Sequence, residues 1–125
     1  MILGTGIDII EVSRIHAAHQ QFGERFLQRV LRPAEIAYCL SFKHPAPHLA
    51  ARFAAKEAIS KAFGTGIGSA LGWQDVEVCR HESGQPFVLL HGKGADLMAK
   101  VNGTRLHLSL SHTEGYAAAV AVLES

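Results

Sequence analysis

The sequence LAARFAAKEAISKAF, residues 49–63, predicts a helix that ends at Gly64, the residue type commonly found just after a last helical turn. At about 100° per residue, this helix has two unlike halves. One half is small and apolar, and the other places cations beside a carboxylate and a serine. The apolar half contains Ala51, Ala54, Ala55, Ala58, Ile59 and Ala62, and the polar half contains Arg52, Lys56, Glu57, Ser60 and Lys61.

Each half of this helix predicts a different neighbour. An alanine surface buries little area per residue, so it is useful only where another stretch of backbone approaches closely. The polar half has two interpretations. It is a solvated surface with Glu57 and Lys61 as an i,i+4 ion pair worth about 0.3–0.5 kcal/mol, or it is a binding surface. Phe53 lies between the halves and favours the second interpretation, because a ring among charges is typical of a cleft or an interface.

The rest of the chain separates helical segments from hairpins instead of alternating them as strand–helix–strand units, which indicates an α+β fold. Its length of 125 residues predicts a single compact domain, residues 1–125, with helices packed on an antiparallel sheet. A hairpin should close the chain, since apolar and polar residues alternate before a turn at 113–115. The expected elements are a strand 2–9, a helix 12–31, a short helix 33–42, a loop 44–48, strands 73–80 and 87–91, a helix 94–101, and final strands 106–111 and 116–123.

Composition excludes several classes of function. A net charge of +1 gives no overall field for nucleic acid, and no apolar run reaches the roughly 18 residues that span a membrane. The first residues carry no basic start and place Asp8 within their apolar run, so they do not resemble a secretion signal, and we expect a cytoplasmic protein. Cys39 and Cys79 lack the spacing of a metal site and are expected to be free thiols.

Asp8 is a carboxylate in an apolar setting, with Ile7, Ile9 and Ile10 around it. We expect it to be withdrawn from bulk water, where a carboxylate must be hydrogen-bonded, paired, metal-bound or protonated. The spacing of Asp8 and Glu11 also fits a capping box that opens the first helix. Capping and metal binding are compatible, because a carboxylate has two oxygens.

Asp8 and Glu57, with the helix cations and the glycine-rich residues 64–68, together indicate Mg²⁺ and a polyphosphate. Magnesium typically takes one or two protein carboxylates and completes its shell with water and phosphate oxygens. The sequence alone does not show that Asp8 meets Glu57. The glycine loop is not a P-loop, since it lacks the Gly-Lys-Ser/Thr ending, and it follows a helix whereas a dinucleotide fingerprint opens one.

Two histidine patterns predict neither a zinc pair nor a hydrolase site. His44 and His48 flank prolines that should prevent the helix needed to align them. His107, Ser109 and Ser111 share one strand face without a nucleophile elbow. A polar strand face is therefore favoured over a triad, and ligand binding along that face is left open.

The first helix carries a row of arginines. Arg25, Arg29 and Arg32 are spaced at i, i+4 and i+7, and Arg14 lies about three turns earlier. The row is either an ordinary solvated surface or a docking surface for an acidic partner helix, because guanidinium groups pair well with carboxylates.

Several motifs resemble those of the phosphopantetheinyl transferases. They are GTGID at 4–8, RFAAKEAISK at 52–61 followed by FGTGIG at 63–68, WQDVEV at 73–78, GQP at 84–86 and HLSLSH at 107–112. Together they cover nearly the whole chain. The short, single-domain length is similar to the branch of that family that modifies acyl carrier protein.

The resemblance implies a homotrimer with active sites between subunits, Mg²⁺ as cofactor, coenzyme A as donor and the acidic acyl carrier protein as acceptor. The implied reaction transfers 4′-phosphopantetheine to a carrier serine, releases adenosine 3′,5′-bisphosphate and supports fatty acid biosynthesis. Two alternatives are a trimeric module that binds coenzyme A or a nucleotide without transfer, and a Mg²⁺-dependent nucleotide pyrophosphatase.

The resemblance also implies roles for individual residues. Asp8 and Glu57 match the metal ligands, and Lys61, which completes the catalytic set with them, matches a pyrophosphate-binding lysine. Glu57 is the candidate general base, directly or through a metal-bound water. Residues implied in coenzyme binding, besides Lys61, are Arg52, Lys56, Gly64, Gly66, His107 and Ser109, and those implied in carrier-protein docking are Arg14 and Arg25.

Overall fold

Five helices and five strands make up the chain in a computed structural model that describes residues 1–125. Helices and strands are segregated as the sequence predicts. In order, the elements are β1 (Ile2–Glu11), α1 (Val12–Phe22), α2 (Glu24–Val30), α3 (Pro33–Leu40), α4 (Ala46–Phe63), β2 (Val76–Arg80), β3 (Pro86–Leu90), α5 (Lys93–Lys100), β4 (Arg105–His112) and β5 (Tyr116–Glu124), with a 3₁₀ turn at Trp73–Asp75.

The strands form two antiparallel sheets, which confirms the α+β prediction. The larger sheet has the order β1-β5-β4, and β2 pairs with β3 in a separate hairpin. In the larger sheet Asp8 pairs with Ala119, which pairs in turn with Leu110. These residues therefore stand in one row on the same face, the face that α4 covers.

Helix α4 lies directly against β1, as its alanine half predicts. A Cβ atom at Gly6 would collide with the carbonyl oxygen of Ala58, and one at Gly4 would collide with that of Ala62. Only glycine permits backbone contact of this kind. Beside it, β5 offers the buried alanines Ala117, Ala119 and Ala121. The axis of α4 is thus fixed close to the sheet.

The other face of the larger sheet is open and partly apolar. Ile7 and Ile9 of β1 and Val120 of β5 are exposed there, next to His107 and Ser109 of β4. The predicted alternation in β4 is confirmed, since its leucines are half-buried and its histidines and serines are exposed.

Three predicted boundaries are wrong for local reasons. The single helix expected over 12–31 is broken at Gly23, whose φ of 58° only glycine adopts readily. The loop expected over 44–48 ends early, since α4 already begins at Ala46, because a helix needs no N–H donor in its first turn and so accepts Pro47 there. The strand expected over 73–80 opens with the 3₁₀ turn. Gly64 ends α4 with a φ of 79°, as predicted.

Both cysteines are free thiols, as expected. Cys39 is buried, and burial raises its pKa to about 11, so it is a packing residue and not a nucleophile. None of the helices is both long enough and apolar enough to cross a membrane.

Candidate active site

Asp8 meets Lys61 where α4 crosses β1. The Lys61 ammonium donates to Asp8 Oδ1 at 3.2 Å and to the backbone carbonyl of Ile7 at 2.9 Å. The side chain of Lys61 is 50% exposed and that of Asp8 is 19% exposed, so the ion pair lies at the surface of a shallow site. An ammonium has three N–H donors, and the third is bonded to no protein group.

Glu57 lies one turn before Lys61 on α4 and belongs to the same site. Partial burial raises the pKa of its carboxyl group, and the negative charge of Asp8 raises it further, while the Lys61 ammonium lowers it. The negative charge of Asp8 therefore disfavours ionisation of Glu57, and the Lys61 ammonium favours it. The sequence could not show that Asp8 and Glu57 are close, and the structure places them together.

The chemistry of this donor set fits Mg²⁺. Two neighbouring carboxylates favour a divalent cation, and Mg²⁺ needs no more than one or two of them. The chain has no cluster of three or more His, Cys, Asp and Glu side chains, which a closed zinc site would require. Asp8 and Glu57 are accordingly the residues that would hold the metal.

Two of the alternatives left open by the sequence are wrong. Asp8 caps no helix, because β1 continues to Glu11 and α1 begins at Val12 without a side-chain cap. Lys61 pairs with Asp8 and not with Glu57, so the expected i,i+4 pair on the helix surface is absent.

Lys56 fits neither interpretation of the polar half of α4, a solvated surface or a binding surface. Its side chain is 0% exposed. Its ammonium donates to Glu35 Oε1 and the Val30 carbonyl at 2.8 Å each and to the Trp73 carbonyl at 3.0 Å. With every donor used inside the chain and no exposed surface, Lys56 has nothing left with which to contact a coenzyme, and the predicted contact is not supported.

Arg52 is also buried, but its donors are not all used. The residue is 2% exposed, and its guanidinium lies 4.1 Å from the centre of the Tyr38 ring. Its Nε and Nη1 have no hydrogen-bond partner, and neither has Nε of Arg80, which lies over the same ring. Buried unpaired donors are rare in folded proteins, and cationic ones favour an anion.

Aromatic and histidine side chains continue from this arginine pair towards the end of β4. His48 stacks on Phe42 with ring centroids 3.6 Å apart, and the centroid of His112 lies 5.1 Å from that of His48. Burial lowers the pKa of His48, and its neighbours His112, Arg52 and Arg80 lower it further. His48 is therefore held neutral beside the two guanidinium groups.

Most amides of the glycine loop are already hydrogen-bonded within the chain. The N–H groups of Thr65 and Gly66 both donate to the Ser60 carbonyl, and that of Gly64 donates to the Lys61 carbonyl. Gly64 and Gly66 have positive φ angles, so they shape the turn after α4. Any contact they make with a ligand is through the surface of this turn.

His107 and Ser109 lie on the opposite face of the sheet from Asp8. His107 and Glu124 approach each other at 3.1 Å between Nε2 and Oε1, and this histidine lowers the pKa of Glu124. Within one chain, therefore, these two predicted coenzyme contacts are not brought together with the carboxylate pair.

The predicted docking residues are exposed on the first two helices. A groove of about 470 Å³ runs between α1 and α2. Its lining combines apolar side chains with two arginines, and Arg14 lies outside it on α1. The groove is lined by Ala18, Phe22, Arg25, Phe26 and Arg29.

Sequence reasoning missed three residues that the structure brings to α4, namely Glu35, Tyr38 and Arg80. Glu35 had a detectable signal, because Pro33 and Glu35 sit at the first and third positions of α3, where Glu35 accepts a hydrogen bond from the Arg32 N–H. Tyr38 and Arg80 approach Arg52 only through long-range packing.

Comparison with known proteins identifies the family. The family model described as the 4′-phosphopantetheinyl transferase superfamily matches residues 4–121. The chain is 53% identical over 124 residues to the holo-[acyl-carrier-protein] synthase of Koribacter versatilis, with 99% of both chains covered. It is 48% identical over 124 residues to that of Moorella thermoacetica, covering 99% of this chain and 95% of the relative.

Solved structures agree with this family. The Neisseria meningitidis holo-[acyl-carrier-protein] synthase superposes with a TM-score of 0.93 at 34% identity, over 100% of both chains. The Helicobacter pylori synthase in complex with coenzyme A superposes with a TM-score of 0.86 at 36% identity, over 96% of this chain and 99% of that one. The chain therefore belongs to the 4′-phosphopantetheinyl transferase superfamily, in its holo-[acyl-carrier-protein] synthase branch.

Proposed function

We propose that the protein transfers the 4′-phosphopantetheine group of coenzyme A to a serine of apo acyl carrier protein and releases adenosine 3′,5′-bisphosphate, as a cytoplasmic step of fatty acid biosynthesis. The observation that carries the proposal is the grouping of Asp8, Glu57 and Lys61 at the crossing of α4 and β1. A module that only binds coenzyme A would account for the cations of the site. It would not account for two neighbouring carboxylates among those cations.

The reaction assigns a separate task to each of these side chains. The serine hydroxyl oxygen bonds to the β-phosphorus of coenzyme A while the bond to the departing adenosine bisphosphate breaks. Glu57 accepts the serine proton, directly or through a water. Lys61 uses its free N–H to stabilise the leaving phosphate.

Asp8 and Glu57 would hold Mg²⁺, which when bound supplies a Lewis acid that neutralises the charge of the pyrophosphate. Asp8 also fixes Lys61, because its Oδ1 and the Ile7 carbonyl take two of the three ammonium donors. The remaining donor then has a limited range of directions.

Arg52 is assigned to an anionic group of the coenzyme. Its Nε and Nη1 are buried and unpaired, and Arg80 adds a second unpaired donor nearby. A phosphate bound there would satisfy both guanidinium groups, and guanidinium binds phosphate well. Gly64 and Gly66 would form a wall of the same binding surface.

The open face of the larger sheet supports a homotrimer. Ile7, Ile9 and Val120 form an exposed apolar surface, which in a soluble protein usually marks an interface. A neighbouring copy packed there would cover His107 and Ser109 as well. Those side chains would then lie between subunits, where they could contact coenzyme A bound at the neighbour's Asp8 and Glu57. Sedimentation equilibrium that gives a monomer would exclude this assembly.

The groove between α1 and α2 suits an acidic helical partner, which we take to be the carrier protein. Phe22 and Phe26 offer apolar contact, and Arg25 and Arg29 offer charge complementarity.

Replacing Arg14 by glutamate should raise the KM for carrier protein about tenfold and leave the KM for coenzyme A unchanged. An equal rise in both KM values would exclude α1 as a docking surface.

Intact-mass spectrometry of the carrier tests the proposed function. Apo acyl carrier protein is incubated with the protein, coenzyme A and Mg²⁺, and a second arm omits the carrier. The proposal expects the carrier to gain the mass of one phosphopantetheine and expects coenzyme A to stay intact without carrier. Cleavage of coenzyme A in the second arm would show a pyrophosphatase, and no reaction in either arm would leave only a binding module.

A further inference from the structure

A sealed ion pair between Lys56 and Glu35 connects the segments that surround α4. Both side chains are 0% exposed. Glu35 Oε1 accepts from the Lys56 ammonium and the Arg32 N–H, each at 2.8 Å, and Glu35 Oε2 accepts from the Val78 N–H at 3.0 Å. Lys56 adds bonds to the carbonyls of Val30 and Trp73. The pair thus joins α4 to the end of α2, the start of α3, the 3₁₀ turn and β2.

This ion pair holds α4 from the side opposite the sheet. Ala58, which touches Gly6, lies about 200° around the helix from Lys56. Glu57 lies between them, about 100° from each. The glycine contact sets how close α4 comes to β1, whereas the Lys56 bonds resist rotation of α4 about its own axis. Rotation is the movement that would carry Glu57 away from Asp8.

We propose that Lys56, held by Glu35, is a positioning residue that sets the rotation of α4 and thereby keeps Glu57 beside Asp8. This inference rests on the proposed function for its kinetic consequence. Lys56 contacts neither substrate and acts only through Glu57. Small displacements matter at such a site, since a misplacement of about 1 Å can cost about 100-fold in rate.

The alternative is that the pair only stabilises the fold. A buried ion pair is weak evidence for stability, because apolar replacement of both partners is often neutral. Replacing both partners separates the two roles. The variant Glu35→Gln/Lys56→Met leaves no unpaired buried charge and keeps an amide oxygen to accept from Val78 or Arg32.

The test combines Mn²⁺ binding and kinetics. Electron paramagnetic resonance measures Mn²⁺ affinity in the protein without coenzyme A. We expect the double variant to unfold cooperatively but to bind Mn²⁺ about tenfold more weakly, an effect typical of groups that orient metal ligands indirectly. We expect kcat to fall about 10- to 100-fold while the KM for carrier protein changes less than about twofold. The matched control is Val76→Ala, a buried core residue of β2, which should lower Tm without changing kcat or Mn²⁺ affinity.

A double variant with lower Tm but wild-type kcat and Mn²⁺ affinity would reduce the pair to a stabilising role and overturn the proposal. If the double variant does not fold, Glu35→Asp decides in the same way, because it keeps both buried charges and only shortens the reach of the carboxylate that holds Lys56. If the wild-type protein transfers nothing, the proposed function is overturned. The positioning role is decided separately, by comparing the Mn²⁺ affinity of the double variant with that of the wild type.

Discussion

Helix α4 carries two lysines, Lys56 and Lys61, that have similar partners and opposite surroundings. Each ammonium bonds to one carboxylate and to backbone carbonyl oxygen. Lys56 is sealed against Glu35 and uses all three donors, whereas Lys61 is half-exposed beside Asp8 and keeps one donor free. Lys56 is therefore suited to stabilising the fold, and Lys61 is suited to binding a ligand. The partners of a lysine alone do not reveal its role. The role is indicated by the exposure of the side chain and by the number of N–H donors that remain unused.

Glu57 shares the exposed site of Lys61, and its replacement should have the largest effect. Glu57→Gln is nearly isosteric and removes the negative charge and the base. We expect kcat to fall about 10²- to 10⁴-fold with the fold intact. Steady-state kinetics and circular dichroism check this, with exposed Glu82→Gln as control. If Glu57→Gln kept most of the activity, Glu57 would be neither a metal ligand nor the base.

Lys56→Met should affect stability most. It leaves the Glu35 carboxylate buried without its cation, which typically costs about 3–5 kcal/mol of unfolding free energy. Urea denaturation measures the loss, and the exposed Lys43→Met should lose almost nothing. A loss below about 1 kcal/mol would mean that the interior around Glu35 admits water.

Lys61→Ala should show the reverse pattern. The pair with Asp8 is partly exposed, so its loss should cost less than about 1 kcal/mol in unfolding free energy. Activity should fall about 10²- to 10³-fold, because a charge directed at the leaving phosphate is removed. Kinetics and urea denaturation on the same preparation separate the two effects. A variant that is destabilised but active would make Lys61 a second structural lysine.

The smallest expected effect concerns the pH dependence of stability. The pKa of Glu57 is raised in the folded protein above its ordinary value of 4.5, so the folded state binds more protons than the unfolded state between those two pKa values. Stability from this group is present at lower pH and is lost as pH rises through that window. Without added metal, Glu57→Gln should therefore raise the unfolding free energy at pH 7, by less than about 1 kcal/mol after solvent screening. Thermal unfolding at pH 4 and pH 7 measures the difference, and a loss of stability at pH 7 would contradict the repulsion between Glu57 and Asp8.

Much of the fold was predictable from local patterns. The alanine half of α4 predicted close backbone contact, and Gly4 and Gly6 provide it. The alternation of β4 and the helix end at Gly64 were also readable, because each depends on neighbours in sequence. The break at Gly23 and the entry of α4 through Pro47 were missed, because the sequence shows neither that Gly23 adopts a positive φ nor that Pro47 falls in the first turn of a helix.

The site was predictable only in part. Resemblance indicated Asp8, Glu57 and Lys61 together, and the structure brings them to one place. The polar half of α4 was misjudged, because helical spacing cannot show that Glu35 approaches Lys56 from 21 residues away and seals it. A buried cation and an exposed one look the same in sequence when the partner is remote.

The most direct test of the account compares the wild type with Glu57→Gln in one intact-mass measurement on apo carrier protein, with coenzyme A and Mg²⁺ present. The account predicts that the wild type adds one phosphopantetheine to every carrier chain and that the variant, equally folded, modifies almost none of the carrier in the same time. Carrier left unmodified by the wild type, or modified equally by both proteins, would contradict it.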